Sequence, residues 1–284
     1  MQKLTNFFRK GIDLKKFKAI FKSLFFKFKN LTSNKKKLKI GRNYLYLYSN
    51  IKHEFKYLNE KFNVDAMLAD QFIKKNSLVI DVGANIGYCA LQYLKNGAER
   101  VDAYEPNCEI FRRLKRLKIN ELNAFNLAIS DLNGESNLFI SQSHNQGHTL
   151  EKKIVDDFRW IFPENLKKQK VKLKTLDTIY CRGEIFDFIK IDVEGHELKI
   201  LKGGNLFFKR CKKAILQIEI YNKESDQVFE ELQKYYKYIY RVFYSLSIGK
   251  LYFSDLRDSQ PIKNYTNNPP NYICSNKKLD NLLK

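Results

Sequence analysis

The segment LVIDVGANIGY, residues 78–88, constrains the fold more than any other part of the sequence. Its first residues are apolar and rich in β-branched side chains, which is typical of a short strand covered on both faces. Gly83 and Gly87 bracket a turn and allow backbone angles and close approaches that side chains forbid. Asn85 tolerates a left-handed conformation or caps the helix that follows, to about residue 96. The pattern predicts a buried strand, a glycine turn and a helix whose first N–H groups face a small polar ligand.

An acidic residue stands at the end of each of the first two predicted strands. Asp81 ends the first, and Glu105 follows the second, residues 101–104. The glycine spacing is G-x-x-x-G, whereas dinucleotide sites show G-x-G-x-x-G because their backbone must approach a pyrophosphate. S-adenosylmethionine (SAM) carries an ammonium and a sulfonium, which suit Asp81, and a ribose whose two hydroxyls suit Glu105. The pattern favours a SAM site; the alternative is a plain strand–turn–helix with exposed acids.

The composition is that of a globular protein with one sizeable core and some extensions. The five cysteines are scattered and lack C-x-x-C spacing, so they indicate free thiols of a cytoplasmic protein rather than a disulfide framework or a zinc site. No apolar run approaches the roughly 18 residues that a membrane-spanning helix needs. Lysines interrupt every apolar stretch of the N-terminus, so no signal peptide is predicted.

Basic residues are concentrated at the N-terminus. Residues 1–39 hold thirteen Lys and Arg and one acid, Asp13, and so carry +12 of the net charge of +21. Apolar residues recur every three or four positions across residues 14–31, with lysines around them, which predicts a basic amphipathic helix. Such a helix favours peripheral attachment to an anionic membrane surface, and the alternative is packing on the protein's own domain. Nucleic acid is a disfavoured partner, because no nucleic-acid-binding motif is present.

The rest of the chain divides into three predicted segments. Residues 40–75 form a lid or brace with a strand or hairpin arm and a helix; residues 76–260 form the main domain; residues 261–284 form a last strand or tail. Strands and helices alternate in the main domain, which predicts an α/β fold with a mostly parallel sheet. The third strand is predicted at residues 123–129, and its end, with Ala128 and Ile129, is expected near the adenine of the cofactor. The polar loop at residues 141–150 is a candidate for the substrate side.

A second informative segment is FDFIKIDVEGHELKILKGG, residues 186–204. A buried strand ends at Asp192, and Glu194 shares its face if the extended conformation continues. His196 follows at the start of a helix, beside the same cleft as Asp81. An imidazole titrates near neutral pH, so we favour His196 as a general base that Asp192 or Glu194 orients. Two alternatives are open: a local hydrogen bond of His196, and a Mg²⁺-type ion held by Asp192 and Glu194.

These segments, in this order, resemble one protein family. VIDVGANIGY, EPN, LAISDLNG, LDTI and FIKIDVEGHELKILKGG are similar to the FkbM family of SAM-dependent methyltransferases over residues 77–221. The resemblance implies a Rossmann-like class I methyltransferase fold, with helices on both faces of a mostly parallel seven-stranded sheet whose final strand runs antiparallel. It also implies methyl transfer to a hydroxyl, often on a sugar or another secondary product, and it does not cover residues 1–75.

The resemblance also implies roles for the residues of both motifs. The residues expected to bind the cofactor are Asp81, Gly83, Ala84, Asn85, Gly87, Tyr88 and Glu105. Those expected to face the acceptor are Asp192, Glu194 and His196. We therefore expect an O-methyltransferase that acts on a sugar of a bacterial surface glycan or on a secondary product. The rival interpretations are an NAD enzyme on the same scaffold and a non-catalytic, membrane-associated binding module that keeps the fold.

Overall fold

A computed structural model describes residues 35–48, 54, 63–141, 145–159, 161–162, 165–220, 225–245, 249–256 and 270–279. The predicted basic helix, at residues 14–31, lies outside these residues. The described chain begins with a hairpin of β1 (Lys35–Ile40) and β2 (Asn43–Tyr48), and helix α1 (Val64–Phe72) comes after it. The hairpin and the helix predicted before the main domain are confirmed where the structure describes them, although β1 begins earlier than residue 40.

Strands and helices then alternate, as the sequence predicts. They are β3 (Leu78–Val82), α2 (Tyr88–Lys95), β4 (Arg100–Tyr104), α3 (Cys108–Lys115), β5 (Leu122–Phe125), β6 (Ala128–Ile129), β7 (Gly134–Phe139), α4 (Lys152–Asp157), β8 (Lys168–Lys174), α5 (Leu176–Ile179), β9 (Phe188–Ile191), α6 (Glu197–Gly203), α7 (Asn205–Arg210), β10 (Ile215–Glu219), α8 (Ser225–Gln233), β11 (Tyr238–Ser245), β12 (Lys250–Asp255) and β13 (Asn271–Ser275).

The main sheet of the described residues has eight strands in the order β12-β11-β13-β10-β9-β3-β4-β5. The five strands from β10 to β5 run parallel to one another. The last strand of the chain, β13, runs antiparallel between β10 and β11, as the resemblance implies. The expected number of seven strands is wrong by one, because the chain returns after β11 and adds β12 to the edge as a hairpin partner.

The predicted third strand is divided between two sheets. β5 pairs with β4 in the main sheet, whereas β6 pairs with β8 in a separate sheet of three strands. Between them, the Asn126 side-chain amide donates to the main-chain carbonyls of Glu105 and Pro106, each at 2.9 Å. These bonds hold the chain against the end of β4, so it leaves the main sheet there. The prediction of one strand over residues 123–129 is therefore wrong.

Apolar side chains cover both faces of the main sheet. One cluster joins the sheet to α5, α6, α7 and α8, and a second joins it to α1, α2 and α3. The α/β class with helices on both faces is thus confirmed, because β3, β4, β9 and β10 contribute apolar side chains to both layers. Within the described ranges, no helix has the length and hydropathy needed to cross a membrane.

A row of buried polar side chains interrupts the apolar layer on one face of the sheet. Asp81, Lys190 and Gln217 are neighbours in register on β3, β9 and β10, and all three are buried. Lys190 Nζ donates to Asp192 Oδ2 at 2.8 Å, and Gln217 donates to Asp65 at 2.8 Å. Neither oxygen of Asp81 has a hydrogen-bond partner among the described residues. Burial raises the pKa of Asp81 to about 7, although the charge of Lys190 opposes the rise.

The raised pKa of Asp81 predicts that stability falls as the pH rises. The folded state keeps the proton up to about pH 7, whereas the unfolded chain releases it near the ordinary value of 3.8. The stabilisation is therefore complete below the unfolded pKa and is lost as the pH rises through the folded one. We expect Asp81→Asn to reduce the decline in the free energy of unfolding between about pH 5 and 7.5, by an amount on the order of a few kcal/mol. Urea denaturation at several pH values measures this.

The matched control is Asp70→Asn, which removes an exposed carboxylate from α1. This variant should keep the pH dependence of the wild-type protein. Buried Glu105 and Glu197, whose pKa values burial also raises to about 7, leave part of the decline in place in both variants. An Asp81→Asn protein whose stability changes with pH as much as that of Asp70→Asn would contradict the assignment.

Candidate active site

A pocket lies where the parallel strands β3, β4 and β9 end. It holds about 560 Å³ of empty space, including its open mouth. Parallel strands present their carboxyl ends at one edge of a sheet, so loops that are distant in the sequence meet there. Eight predicted site residues line the pocket: Gly83, Asn85, Glu105, Ala128, Ile129, Asp192, Glu194 and His196. The other predicted cofactor residues, Asp81, Ala84, Gly87 and Tyr88, are not in its lining.

Two positions of the turn after β3 require glycine. Gly83 has a φ of +84°, and a Cβ atom there would lie 1.9 Å from the main-chain oxygen of Asp192. A Cβ on Gly87, whose φ is +89°, would lie 2.7 Å from a methyl group of Leu114. Between them Asn85 adopts the left-handed conformation, one of the two roles expected for it, with a φ of +50°. The other role does not hold, because Gly87 stands at the N-cap of α2. The turn therefore brings the end of β3 directly against the end of β9.

Glu105 joins the turn to the end of β4. One carboxylate oxygen accepts a hydrogen bond from the Asn85 N–H at 3.0 Å, and the other accepts from the Asn107 N–H at 2.7 Å. Burial raises the pKa of Glu105 to about 7, and the two main-chain donors oppose the rise. Each carboxylate oxygen has a further lone pair, so Glu105 can also accept from a ligand in the pocket.

Asp192 is one of two acidic residues of the second motif that line the pocket. Its main-chain N–H donates to the Val82 carbonyl at 3.1 Å, which continues the pairing of β9 with β3. Its Oδ2 atom accepts from the buried Lys190 ammonium, while its side chain is 29% exposed. No other hydrogen bond to this carboxylate occurs within the described residues, so Oδ1 is available to a ligand. Asp81, in contrast, is fully buried below the pocket, and its role toward the cofactor stays a prediction.

His196 has other partners than the sequence predicts. Its Nδ1 atom contacts Glu151 at 2.6 Å and its Nε2 atom contacts the Ser130 hydroxyl at 2.9 Å. Lys199 also donates to Glu151, at 2.7 Å. The hydrogen bond from His196 is the largest cause that lowers the pKa of Glu151 to about 2. The prediction that Asp192 or Glu194 orients His196 is therefore wrong: Glu151 and Ser130, which lie outside the pocket lining, do so.

Glu194 also departs from its predicted conformation. Its φ is +56°, so the extended chain does not continue after Asp192 and the expectation that both side chains share a strand face is wrong. The Glu194 carbonyl accepts from the Thr149 hydroxyl at 2.7 Å, which ties this turn to the loop at residues 145–150. Within the part of the chain that the structure describes, no group of three or more His, Cys, Asp or Glu could hold a metal ion.

The polar loop before α4 contributes to the pocket. Asn145, Gln146 and His148 line it, and His148 Nδ1 accepts from the Ser141 N–H at 3.0 Å. Asn145 carries a main-chain carbonyl that accepts from the Asn85 amide at 2.9 Å. The loop has a second histidine, residue 144, which lies outside the described residues. Sequence reasoning predicted the loop but missed Glu151, because nothing in the pattern links it to a histidine 45 positions later.

The pocket lining is acidic. Glu105, Asp192 and Glu194 contribute carboxylates, and no Lys or Arg of the described residues lines it. Such a lining favours a ligand with positive charge and disfavours one that carries phosphates, because phosphate sites depend on basic side chains or clustered N–H donors. The electrostatics of the pocket therefore agree with the sequence-based preference for SAM over a dinucleotide.

Comparisons with known proteins agree with this geometry. Residues 81–246, more than half of the chain, match the model of the methyltransferase FkbM domain. No curated protein matches the sequence. The chain is similar to a solved rRNA methylase from Streptococcus thermophilus, at 12% identity over 74% of this chain and 92% of that one, with a TM-score of 0.39. It is also similar to TYW2 from M. jannaschii in complex with AdoMet, at 14% identity over 86% of this chain and 85% of that one, with a TM-score of 0.40.

The family of this chain is assigned from the match at residues 81–246 and from the fold, and no residue role is taken from the solved structures. The order of the five parallel strands and the inserted antiparallel β13 give the Rossmann-like class I methyltransferase architecture that the resemblance implies. The matched region includes the glycine turn, Glu105 and the Asp192 segment, which meet at one pocket. The chain therefore belongs to the FkbM family of methyltransferases.

Proposed function

We propose that this protein is a SAM-dependent O-methyltransferase that acts on a hydroxyl of a sugar, in a bacterial surface glycan or a secondary product. The observation that carries the proposal is the acidic pocket at the strand ends, which contains Glu105 and Asp192 and no Lys or Arg among the described residues. A cationic methyl donor fits such a pocket, and a hydroxyl acceptor needs a proton acceptor beside it.

The residues of the pocket fit SAM. Glu105 is placed to accept hydrogen bonds from the ribose, and Ala128 and Ile129 offer an apolar surface to the adenine. Gly83 allows the close approach of β3 and β9 that gives the pocket its floor. When bound, SAM supplies a methyl group that its sulfonium has already activated. The chain's own residues then have two tasks, which are to orient the acceptor and to remove its proton.

We assign the removal of that proton to Asp192. Lys190 holds one of its oxygens, so the carboxylate has a fixed orientation while the other oxygen stays available to a hydroxyl. His196 was favoured as the base from sequence, but both of its ring nitrogens contact protein groups, and its side chain is only 4% exposed. We therefore propose that His196 is a positioning residue that holds the Asp192–Glu194 turn and α4 together.

SAM binding provides the first test, with Gly83→Ala as the variant. The added Cβ would lie 1.9 Å from the Asp192 oxygen, so the ends of β3 and β9 must separate and the pocket must change shape. We expect calorimetry to show that wild-type protein binds SAM and that the variant binds it at least about tenfold more weakly.

The matched control is Gly183→Ala. Gly183 has a φ of +95°, so the substitution strains the backbone in the same way, but a Cβ atom there meets nothing within 4 Å. This control should keep the affinity of the wild type. Binding of NAD in place of SAM would support the oxidoreductase alternative, and no binding of either would support the non-catalytic module.

The role of Asp192 predicts a separate outcome for Asp192→Asn. The amide keeps the shape of the side chain but cannot accept the proton, so we expect methyl transfer to fall about 10²–10⁴-fold, a larger effect than the loss of one pocket charge has on SAM affinity. The readout is mass spectrometry of surface glycan from a deletion strain that expresses each variant, and thermal melting confirms that the variant is folded. His196→Gln is the comparison; a larger loss there than in Asp192→Asn would restore His196 as the base.

The basic N-terminal segment supports a second proposal, which is that residues 1–39 hold the enzyme at an anionic membrane surface. Each lysine near such a surface contributes on the order of 1 kcal/mol. We expect full-length protein to float with phosphatidylserine liposomes. We expect a truncated protein that begins at Lys35 to remain in the bottom fraction of the gradient. The truncation keeps the whole hairpin of β1 and β2. Equal flotation of the two proteins would contradict this proposal.

A further inference from the structure

A second hollow lies between β2 and α3, outside the pocket. It holds about 1100 Å³ of empty space, including its open side. We call it the tyrosine groove and define it by its lining residues: Arg42, Asn43, Tyr44, Leu45, Tyr46, Tyr48, Ile86, Arg113, Arg116 and Leu117. None of these residues was predicted to bind the acceptor, and most of them lie on the hairpin that precedes the family match.

Tyrosine side chains form one side of the groove. Along β2 the leucines at positions 45 and 47 are buried in the core, whereas Tyr44 and Tyr46 are 42% and 52% exposed. Alternation along a strand places the tyrosines on the same outer face. The Lys37 ammonium lies 3.7 Å from the centroid of the Tyr44 ring, which shows that this face accepts a cation from its own hairpin. A strand with large aromatic rings directed outward is typical of a binding surface rather than of a solvated edge.

Guanidinium groups form the other side of the groove. Arg42 pairs with Glu121, and Arg113 pairs with Glu54 at 2.7 Å. Arg116 is exposed, and its guanidinium has no hydrogen bond or ion pair with any residue that the structure describes. The lining residues therefore keep about one positive charge that no side chain neutralises, and the Lys37 ammonium over Tyr44 adds a second beside them. This charge suits a ligand with few anionic groups.

Contacts connect the groove to the pocket. Ile86 lines the groove, and its neighbour Asn85 lines the pocket. Asn145, also in the pocket, donates from its amide to Glu54 at 3.0 Å, and Glu54 in turn binds Arg113 of the groove. The groove and the pocket are therefore neighbours, linked through these side chains.

We propose that the tyrosine groove binds an acidic oligosaccharide, which is the part of the methyl acceptor that extends beyond the reacting sugar. The inference rests on the proposed function and names the class of its acceptor. The C–H face of a sugar ring packs on the negative face of a tyrosine ring, and a carboxylate or phosphate on the sugar pairs with Arg116. A nucleic-acid strand is a poorer match, because it carries a charge at every nucleotide and the groove keeps only one free guanidinium among its described residues.

The test is a glycan array that displays neutral, uronate-bearing and phosphate-bearing oligosaccharides, with full-length protein as the probe. We expect the wild type to bind the acidic members of the array. We expect Tyr46→Ala and Arg116→Ala each to weaken this binding at least about tenfold. Tyr46→Phe keeps the ring and should keep the binding. Arg182→Ala removes the same charge from an exposed position outside the groove and should also bind as the wild type does.

Three results would overturn the inference. They are wild-type protein that retains no acidic oligosaccharide, an Arg182→Ala protein that loses as much binding as Arg116→Ala, and an oligouridylate that binds more tightly than any sugar and is lost in the same variants. Calorimetry with SAM separates this failure from that of the proposed function. If the glycan test fails while the wild type and all variants bind SAM equally well, only the assignment of the groove fails. If the wild-type protein does not bind SAM, the proposed function fails.

Discussion

The approach of Gly83 to the main-chain carbonyl of Asp192 determines where this protein can bind a ligand. Because a Cβ atom at position 83 would overlap that oxygen, only glycine lets the ends of β3 and β9 lie this close. The approach places the Asp192 segment beside the turn that Glu105 holds through the Asn85 N–H. Loops that are more than 80 residues apart in the sequence thereby form one acidic pocket.

Below that pocket, the ionisable side chains of Asp81 and Lys190 are buried in the interior of the protein. Lys190 is the neighbour in register of Asp81 and Gln217, in a row of buried polar side chains, and it holds the Asp192 carboxylate that faces the pocket. Burial of an unpaired carboxyl costs free energy, which the protein reduces by raising the pKa of Asp81. We interpret this row as the support that fixes Asp192, in the same way that Glu151 and Ser130 fix His196.

Local patterns predicted the parts of the structure that depend on local forces. The strand, turn and helix around Gly83 and the strand that ends at Asp192 follow from apolar runs and glycines. Contacts between distant segments were not predictable in this way. The pairing of Glu151 with His196, the division of the third strand at Asn126 and the eighth strand β12 each depend on which segments meet in three dimensions.

The account as a whole depends on Glu105 and Asp192 facing the same bound cofactor from two strands. A crystal structure of the protein with S-adenosylhomocysteine tests this most directly. We expect the ribose hydroxyls within hydrogen-bond distance of the Glu105 carboxylate, the adenine against Ala128 and Ile129, and the sulfur on the side of Asp192. Density for the ligand elsewhere on the protein, or in the pocket with its ribose away from Glu105, would contradict the account.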